Sequence, residues 1–138
     1  MKLVIELVPE FEKDINKLSK KYRNIIKDMD TALKVLQVEP TNESRSKRIS
    51  GLGEEIIAPI YKLRKFYSKD FKGKGSSSGF RVIYAFTNDR IILIEIYHKN
   101  KQEVEDRERI KKYFSSKSNN CLIKNKIKIQ DKLSHTLS

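Results

Sequence analysis

The sequence predicts an α+β fold in which a small antiparallel-rich β-sheet packs against an N-terminal helical hairpin and a C-terminal helix. Three observations predict it. A short alternating segment precedes a long stretch whose apolar residues recur at helical spacing. Three segments rich in β-branched and aromatic residues follow, namely Ile60–Tyr67, Gly79–Phe86 and Arg90–Tyr97. A charged segment with helical spacing comes next, so the predicted order is β-α-α-β-β-β-α, one sheet covered by helices.

The first strand and the helical hairpin are expected within residues 2–38. Apolar residues alternate through Lys2–Leu7, as in a half-buried strand. Pro9 then suits the start of a helix, because its fixed φ matches the first helical turn. Apolar residues recur three or four positions apart as far as Val38, and Glu39-Pro40 ends the pattern. Two helices packed as a hairpin on the sheet would bury both apolar stripes.

The three central segments are expected to be adjacent strands with cations on one face. Lys62 and Arg64 alternate with large apolar residues, so both should project from the same side. Thr87-Asn88-Asp89 is short enough to join the second and third strands as a hairpin. A polar loop, Thr41–Gly53, precedes these strands, and Asn100–Phe114 after them has the spacing of a helix.

The chain is strongly basic, with a net charge of +12. The last 24 residues contain five Lys and one Asp, so this tail contributes +4 and the preceding body +8. A field of that sign favours polyanions, nucleic acid first and acidic protein second. The cations expected to bind RNA are Arg45, Lys47, Arg48, Lys65, Lys72, Lys74 and Lys99.

Several classes of protein are disfavoured by composition. Cys121 is the one cysteine, and His98 and His135 are the two histidines, so a disulfide framework and a multi-cysteine zinc site are excluded. With so few Cys and His residues we expect no metal site. We also expect no cofactor, because Gly73, Gly75 and Gly79 do not fit the pattern of a nucleotide-binding loop. Without a recognisable signal peptide or membrane span, we expect a cytoplasmic protein. Residues 1–114 should form one domain, followed by a basic, loosely ordered tail at 115–138.

One reaction needs little more than cations. When the 2′-hydroxyl of RNA attacks the adjacent phosphate, Arg and Lys can stabilise the negatively charged phosphorane. A Lys or a His can move the protons. The candidate catalytic residues are Lys62, Arg64, Arg81, His98 and Lys101.

The pattern resembles the RelE/ParE superfamily of type II toxin–antitoxin toxins over residues 2–114. The order of elements is similar, and SKRISGLG and YKLRK resemble the loop and the basic strand of that family. SSSGFRVIYAF is the most specific match, a Ser-Gly-aromatic-Arg strand that ends in apolar residues and Tyr. IILIEIYHKNKQEVEDRERIKKYF resembles the last strand and closing helix.

The resemblance implies a toxin that cleaves mRNA on the ribosome without a metal and is neutralised by a cognate antitoxin. Lys62 and Arg64 match the strand lysines of the family, Arg81 would hold the scissile phosphate, and a further basic residue falls within Lys99–Lys101. An arginine at position 64 would bind phosphate well but would be a poor general base.

Two departures from the family pattern, the arginine at position 64 and a missing tyrosine, leave other functions open. Arg107 stands near the position where some members have a tyrosine, so Tyr97, Tyr113 or His98 would have to substitute. One alternative is an inhibitor of DNA gyrase, as in the ParE branch. The other is a catalytically silent protein that binds RNA.

Overall fold

The computed structural model describes residues 3–115 and 128–129, the last two by their backbone alone. Its helices and strands in chain order are β1 (Val4–Leu7), α1 (Pro9–Ser19), α2 (Ile25–Val38), β2 (Ser46–Arg48), β3 (Ile60–Leu63), β4 (Phe80–Thr87), β5 (Arg90–His98), α3 (Arg107–Phe114) and β6 (Lys128–Ile129). The predicted α+β class is confirmed. Two short strands, β2 and β6, are added to the predicted order.

The described strands form one mixed sheet in the order β2-β3-β4-β5-β1-β6. β1 runs parallel to β5, whereas the other neighbouring pairs are antiparallel. Helix α1 packs against β5 and α2. The apolar side chains of the N-terminal helical hairpin therefore pack with those of the central strands in one buried core.

Both helices of the hairpin form where the apolar periodicity predicts. Pro9 lies in the first turn of α1. Glu10 and Glu12 lie in the same turn, where their negative charges interact favourably with the positive end of the helix dipole. The apolar face of α1 is buried at Phe11 and Ile15. The buried residues of α2 are Ile25, Asp28, Met29, Leu33 and Leu36.

The β4–β5 hairpin forms as predicted and contains one irregularity. Asn88 adopts a φ of 55°, a left-handed conformation that Asn tolerates better than most residues in a tight turn. Further along, Ile83 pairs with Glu95 while Tyr84 pairs with Leu93, which leaves Ile94 as an extra residue in β5. Such a bulge releases a backbone carbonyl from the ladder and bends the strand.

Two elements are shorter than the sequence predicts. β3 ends at Leu63 instead of Tyr67, because the amides of Arg64 and Lys65 both donate to the carbonyl of Arg45 and turn the chain. The predicted Asn100–Phe114 helix begins only at Arg107, where Asp106 accepts a hydrogen bond from the amide of Arg109 as a helix cap. Residues 99–106 instead fold back over the sheet.

Part of the tail pairs with the sheet. Lys128–Ile129 forms β6, antiparallel to β1 at Leu7 and Glu6. Residues 116–127 and 130–138 lie outside the described part of the chain, so the loosely ordered tail stays a prediction. In the described part, every helix is too short or too polar to cross a membrane.

Candidate functional site

One face of the sheet carries the predicted strand cations. Lys47, Lys62, Ile83 and Glu95 occupy paired positions on β2, β3, β4 and β5, and directly paired residues project from the same side. Arg81 lies two residues from Ile83, so it belongs to this side as well. We call it the Lys62 face.

A basic cleft opens at the end of this face. It has a volume of about 250 Å³ and is lined by Arg64, Lys65, Ser77, Gly79, Arg81 and Lys99. Arg64, Lys65 and Lys99 are exposed, and Arg81 is half-buried. Within residues 3–115, none of these four cations forms an ion pair with a carboxylate. The cleft therefore concentrates positive charge that is free to meet an anion.

Backbone contacts shape the basic cleft. The guanidinium of Arg81 donates to the carbonyls of Arg64 and Phe80, both at 3.3 Å, which holds it against the end of β3. Gly79 has a φ of 96°, and its carbonyl accepts from the amide of Lys99 at 2.9 Å. A Cβ at Gly79 would lie 2.8 Å from Nε2 of His98, so only glycine fits there without displacement.

Lys62 lies beside the basic cleft and is paired. Its Nζ is 2.7 Å from Oε1 of Glu105, while Oε2 of Glu105 accepts from Nε of Arg107 at 3.0 Å. Burial opposes ionisation of Glu105, but the hydrogen bond and charge of Lys62, with the hydrogen bond from Arg107, outweigh it and lower the pKa of that carboxyl. These three residues line a second cleft of about 160 Å³ with Lys47 and Arg48.

A third cleft lies at the β2 edge of the sheet, where Arg48 and Tyr61 project from the side opposite to the Lys62 face. We call it the tyrosine cleft; it measures about 660 Å³ and is lined by Thr41, Glu43, Ser46, Lys47, Arg48, Tyr61 and Arg64. Arg64 is common to the basic cleft and the tyrosine cleft. The two clefts therefore adjoin at one arginine.

His98 lies behind Gly79 of the basic cleft but does not line that cleft; it lines a groove beside α1, as Lys101 does. The ring is buried, stacks on Phe71 and meets Phe80 edge-on. Nδ1 accepts from the amide of Asn100 at 3.1 Å, so Nε2 carries the proton and donates to the carbonyl of Ser78 at 2.9 Å. Both nitrogens are occupied by hydrogen bonds to the backbone, which fits a packing residue better than a proton carrier.

The other predicted residues divide among several places. Lys101 is exposed and lines a groove of about 460 Å³ beside α1, with Lys17 and Lys21 among its neighbours. Arg45 pairs with Glu39 at 3.3 Å. Lys72 and Lys74 are exposed on the loop before β4. The clefts thus bring together Lys47, Arg48, Lys62, Arg64, Lys65, Arg81 and Lys99.

The candidate tyrosines are not interchangeable. Tyr97 pairs with Arg81 in the sheet and is buried, and its hydroxyl has no hydrogen-bond partner within the described residues. Burial, together with the charges of Glu105 and Glu95, raises the pKa of Tyr97 to about 12. Tyr113 lies elsewhere, where its hydroxyl donates to Glu10. Of the two, Tyr97 is the one paired with Arg81 of the basic cleft, although Tyr97 itself lines the groove beside α1.

A buried carboxylate fixes the segment that carries Lys99 and Glu105. Glu95 accepts from Nε2 of Gln102 at 2.7 Å and from the amide of Asp106 at 2.8 Å. Burial raises the pKa of Glu95. Arg109 ties α3 to the same strand, since its guanidinium donates to the carbonyl of the bulge residue Ile94 at 2.9 Å. This role of Glu95 was not predicted, because Glu95 is a single carboxylate within β5 and its partners Gln102 and Asp106 lie in a segment predicted to be helical.

Among known proteins, no family model and no curated protein matches the chain. A solved structure that is similar is that of a copper-bound mutant toxin from Helicobacter pylori, at 16% sequence identity and a TM-score of 0.48. The alignment covers 72% of this chain and 98% of that one. A similarity of this size defines neither a family nor a function.

Proposed function

We propose that this chain is the toxin of a type II toxin–antitoxin system, an endoribonuclease that cleaves mRNA on the ribosome. The observation that supports it is the basic cleft, in which Arg64, Lys65, Arg81 and Lys99 converge without a carboxylate. Charge-assisted hydrogen bonds from guanidinium groups suit a phosphate, which can accept two parallel bonds from one arginine. The site thus has the chemistry to hold one phosphodiester.

The proposed reaction begins with an RNA phosphodiester bound in the basic cleft. The 2′-oxygen attacks the bound phosphorus, its proton passes to a base, and the bond to the 5′-oxygen breaks as that oxygen takes up a proton. The products are a 2′,3′-cyclic phosphate and a 5′-hydroxyl. Arg81 and Arg64 stabilise the extra negative charge of the phosphorane, and removal of one such donor typically costs about 10²–10³ in rate.

One observation favours a second candidate, an RNA-binding protein without catalysis. Both ring nitrogens of His98 are hydrogen-bonded, and Lys62 is paired with Glu105. The groups best suited to move protons are therefore engaged in contacts with the protein. Cleavage and binding must be measured separately for this reason.

The basic cleft also indicates which macromolecules this protein would bind. An mRNA in the decoding site of the ribosome is the proposed substrate. A cognate antitoxin would need acidic side chains to complement the basic cleft and thereby block it. DNA gyrase is the target under the alternative of a ParE-like inhibitor.

The decisive experiment is translation of a defined mRNA in a reconstituted system, with mapping of the RNA ends. The comparison is between the wild type, Arg81→Ala and Lys13→Ala. Lys13→Ala is the matched control because it also removes one cation, but from an exposed position on α1 outside the clefts. We expect ribosome-dependent cuts that Arg81→Ala reduces by about 10²-fold or more and Lys13→Ala leaves nearly unchanged.

Two results would point elsewhere. Intact mRNA with a folded wild-type protein that still binds RNA would support the silent RNA-binding protein. Intact mRNA together with loss of DNA supercoiling in a gyrase assay would support the gyrase inhibitor.

A further inference from the structure

The tyrosine cleft contains a row of stacked side chains that ends in open space. Tyr84, Tyr61 and Arg48 occupy paired positions on β4, β3 and β2. The rings of Tyr84 and Tyr61 are stacked at 5.6 Å with an interplanar angle of 20°. Cζ of Arg48 lies 5.8 Å from the centroid of Tyr61 on the neighbouring strand. We call these three side chains the stacking row.

The inner end of the stacking row is fixed and its outer end is accessible. Tyr84 is fully buried, and its hydroxyl is hydrogen-bonded to the carbonyl of Pro40 at 2.6 Å and to Oγ of Ser46 at 2.8 Å. Tyr61 is half-buried, and Arg48 is exposed at the edge strand β2. A flat ligand can therefore add to the row at Arg48 without disturbing the core.

The tyrosine cleft differs from the basic cleft in the planar groups of its lining. Tyr61, Arg48 and the carboxylate of Glu43 line the tyrosine cleft, whereas the lining of the basic cleft contains neither an aromatic ring nor a carboxylate. The aromatic ring and the guanidinium both offer planar surfaces, and nucleobases stack on such surfaces in proteins that bind single-stranded RNA.

We propose that the tyrosine cleft is a nucleobase subsite, which binds the base of a nucleotide next to the phosphate held in the basic cleft. The inference rests on the proposed function. The two clefts adjoin at Arg64, although Tyr61 and Arg48 project from the side of the sheet opposite to the Lys62 face, so one RNA strand would pass around the β2 edge to place its phosphate and its base. The base stacks on the guanidinium of Arg48, which the ring of Tyr61 supports from within the row. The ligand class is single-stranded RNA.

Binding to an uncleavable RNA tests this subsite independently of nuclease activity. The probe is a short 2′-O-methyl RNA of uridines with one 2-aminopurine, whose fluorescence falls when the base stacks. A fluorescein-labelled copy of the strand reports affinity by anisotropy. The variants are Tyr61→Phe, Tyr61→Leu, Arg48→Lys and Arg81→Ala.

Each variant removes a different feature. Tyr61→Phe keeps the ring, and no hydrogen bond of the Tyr61 hydroxyl is lost within the described residues, so quenching should equal that of the wild type. Tyr61→Leu removes the ring, and Arg48→Lys removes the planar guanidinium but keeps the charge. Both should lose most of the quenching and bind about 5- to 10-fold more weakly. Arg81→Ala should bind more weakly yet be fully quenched at saturation.

The outcomes separate the two proposals. Quenching that persists in both Tyr61→Leu and Arg48→Lys, or RNA bound by the wild type without quenching, overturns the nucleobase subsite alone. Normal quenching without mRNA cleavage on ribosomes overturns the nuclease and leaves the subsite supported. A wild type that binds no RNA overturns both. Arg48 is exposed, so Arg48→Lys still decides the question if Tyr61→Leu does not fold.

Discussion

The ammonium of Lys62 and the carboxylate of Glu105 form an ion pair of 2.7 Å on the Lys62 face of the sheet. The side chain of Glu105 is 3% exposed and that of Lys62 is 20% exposed, so the pair is largely shielded from water. A candidate catalytic lysine is thereby fixed by a residue from the segment that follows β5. The pair joins the closing segment of the domain to its basic surface.

Glu105→Gln should destabilise the fold by about 1–2 kcal/mol at pH 7. The amide cannot balance the charges of Lys62 and Arg107, but Arg107 is 44% exposed and can be rehydrated, which limits the loss. Urea unfolding followed by circular dichroism measures the change. Asp30→Asn is the control, because its pair with Lys34 is exposed and should contribute only a few tenths of a kcal/mol. Equal effects of the two substitutions would contradict the shielding of the Lys62 pair.

The contact between Glu10 and Tyr113 predicts a pH dependence of stability. Burial opposes ionisation of Glu10, but hydrogen bonds from Tyr113 and Lys112 outweigh it and lower its pKa from 4.5 to about 2. A lowered carboxyl pKa contributes stability above pH 4.5, and this contribution is lost as the pH falls towards 2. The side chain is 25% exposed, so we expect on the order of 2 kcal/mol, less than the full shift implies.

Glu10→Gln tests this dependence by thermal unfolding between pH 2 and pH 7. The variant should be less stable than the wild type at pH 7, and the two should converge near pH 2. Tyr113→Phe should reduce the difference, since one of the two stabilising hydrogen bonds is absent. A gap between Glu10→Gln and the wild type that is constant across this range would contradict the lowered pKa.

Gly79→Ala should destabilise the fold strongly. Its φ of 96° is strained for alanine, and the added Cβ would lie 2.8 Å from Nε2 of His98. Overpacking of this kind costs about 1–3 kcal/mol, and the backbone strain adds about 1 kcal/mol. Gly73→Ala is the matched control, because Gly73 has a φ of 82° but its added Cβ would meet no atom within 4 Å. Urea unfolding should therefore show a much larger loss for Gly79→Ala.

Much of the fold could be predicted from the sequence because its signals are local. The spacing of Phe11 and Ile15, the position of Pro9 and the turn around Asn88 each specify an element within a few residues. β2 was not predicted, since Ser46–Arg48 is polar and becomes a strand only by pairing with β3. Its stability comes from tertiary contacts that no short window of sequence contains.

The candidate site could be predicted only in part. Alternation in Ile60–Tyr67 predicted that Lys62 and Arg64 project from one side. In the structure Arg64 lies beyond the end of β3 and lines the basic cleft with Arg81, whereas Lys62 lines the second cleft. His98 has the residue type of a proton carrier, yet its neighbours turn it into a packing residue. The contribution of Glu105 was missed because a buried ion pair depends on how residues 99–106 fold back over the sheet.

Lys99 and Lys101 should differ in their effects on RNA, although they lie two residues apart. Lys99 lines the basic cleft, whereas Lys101 lines the groove beside α1. Lys99→Ala should weaken binding of single-stranded RNA and lower the slope of log K against log salt by about 0.7, the value for one lost phosphate contact. Lys101→Ala removes the same charge and should change both quantities much less. Both residues are exposed, so neither substitution should alter the fold. Equal losses for the two variants would show that charge alone governs RNA binding and that the basic cleft has no special role.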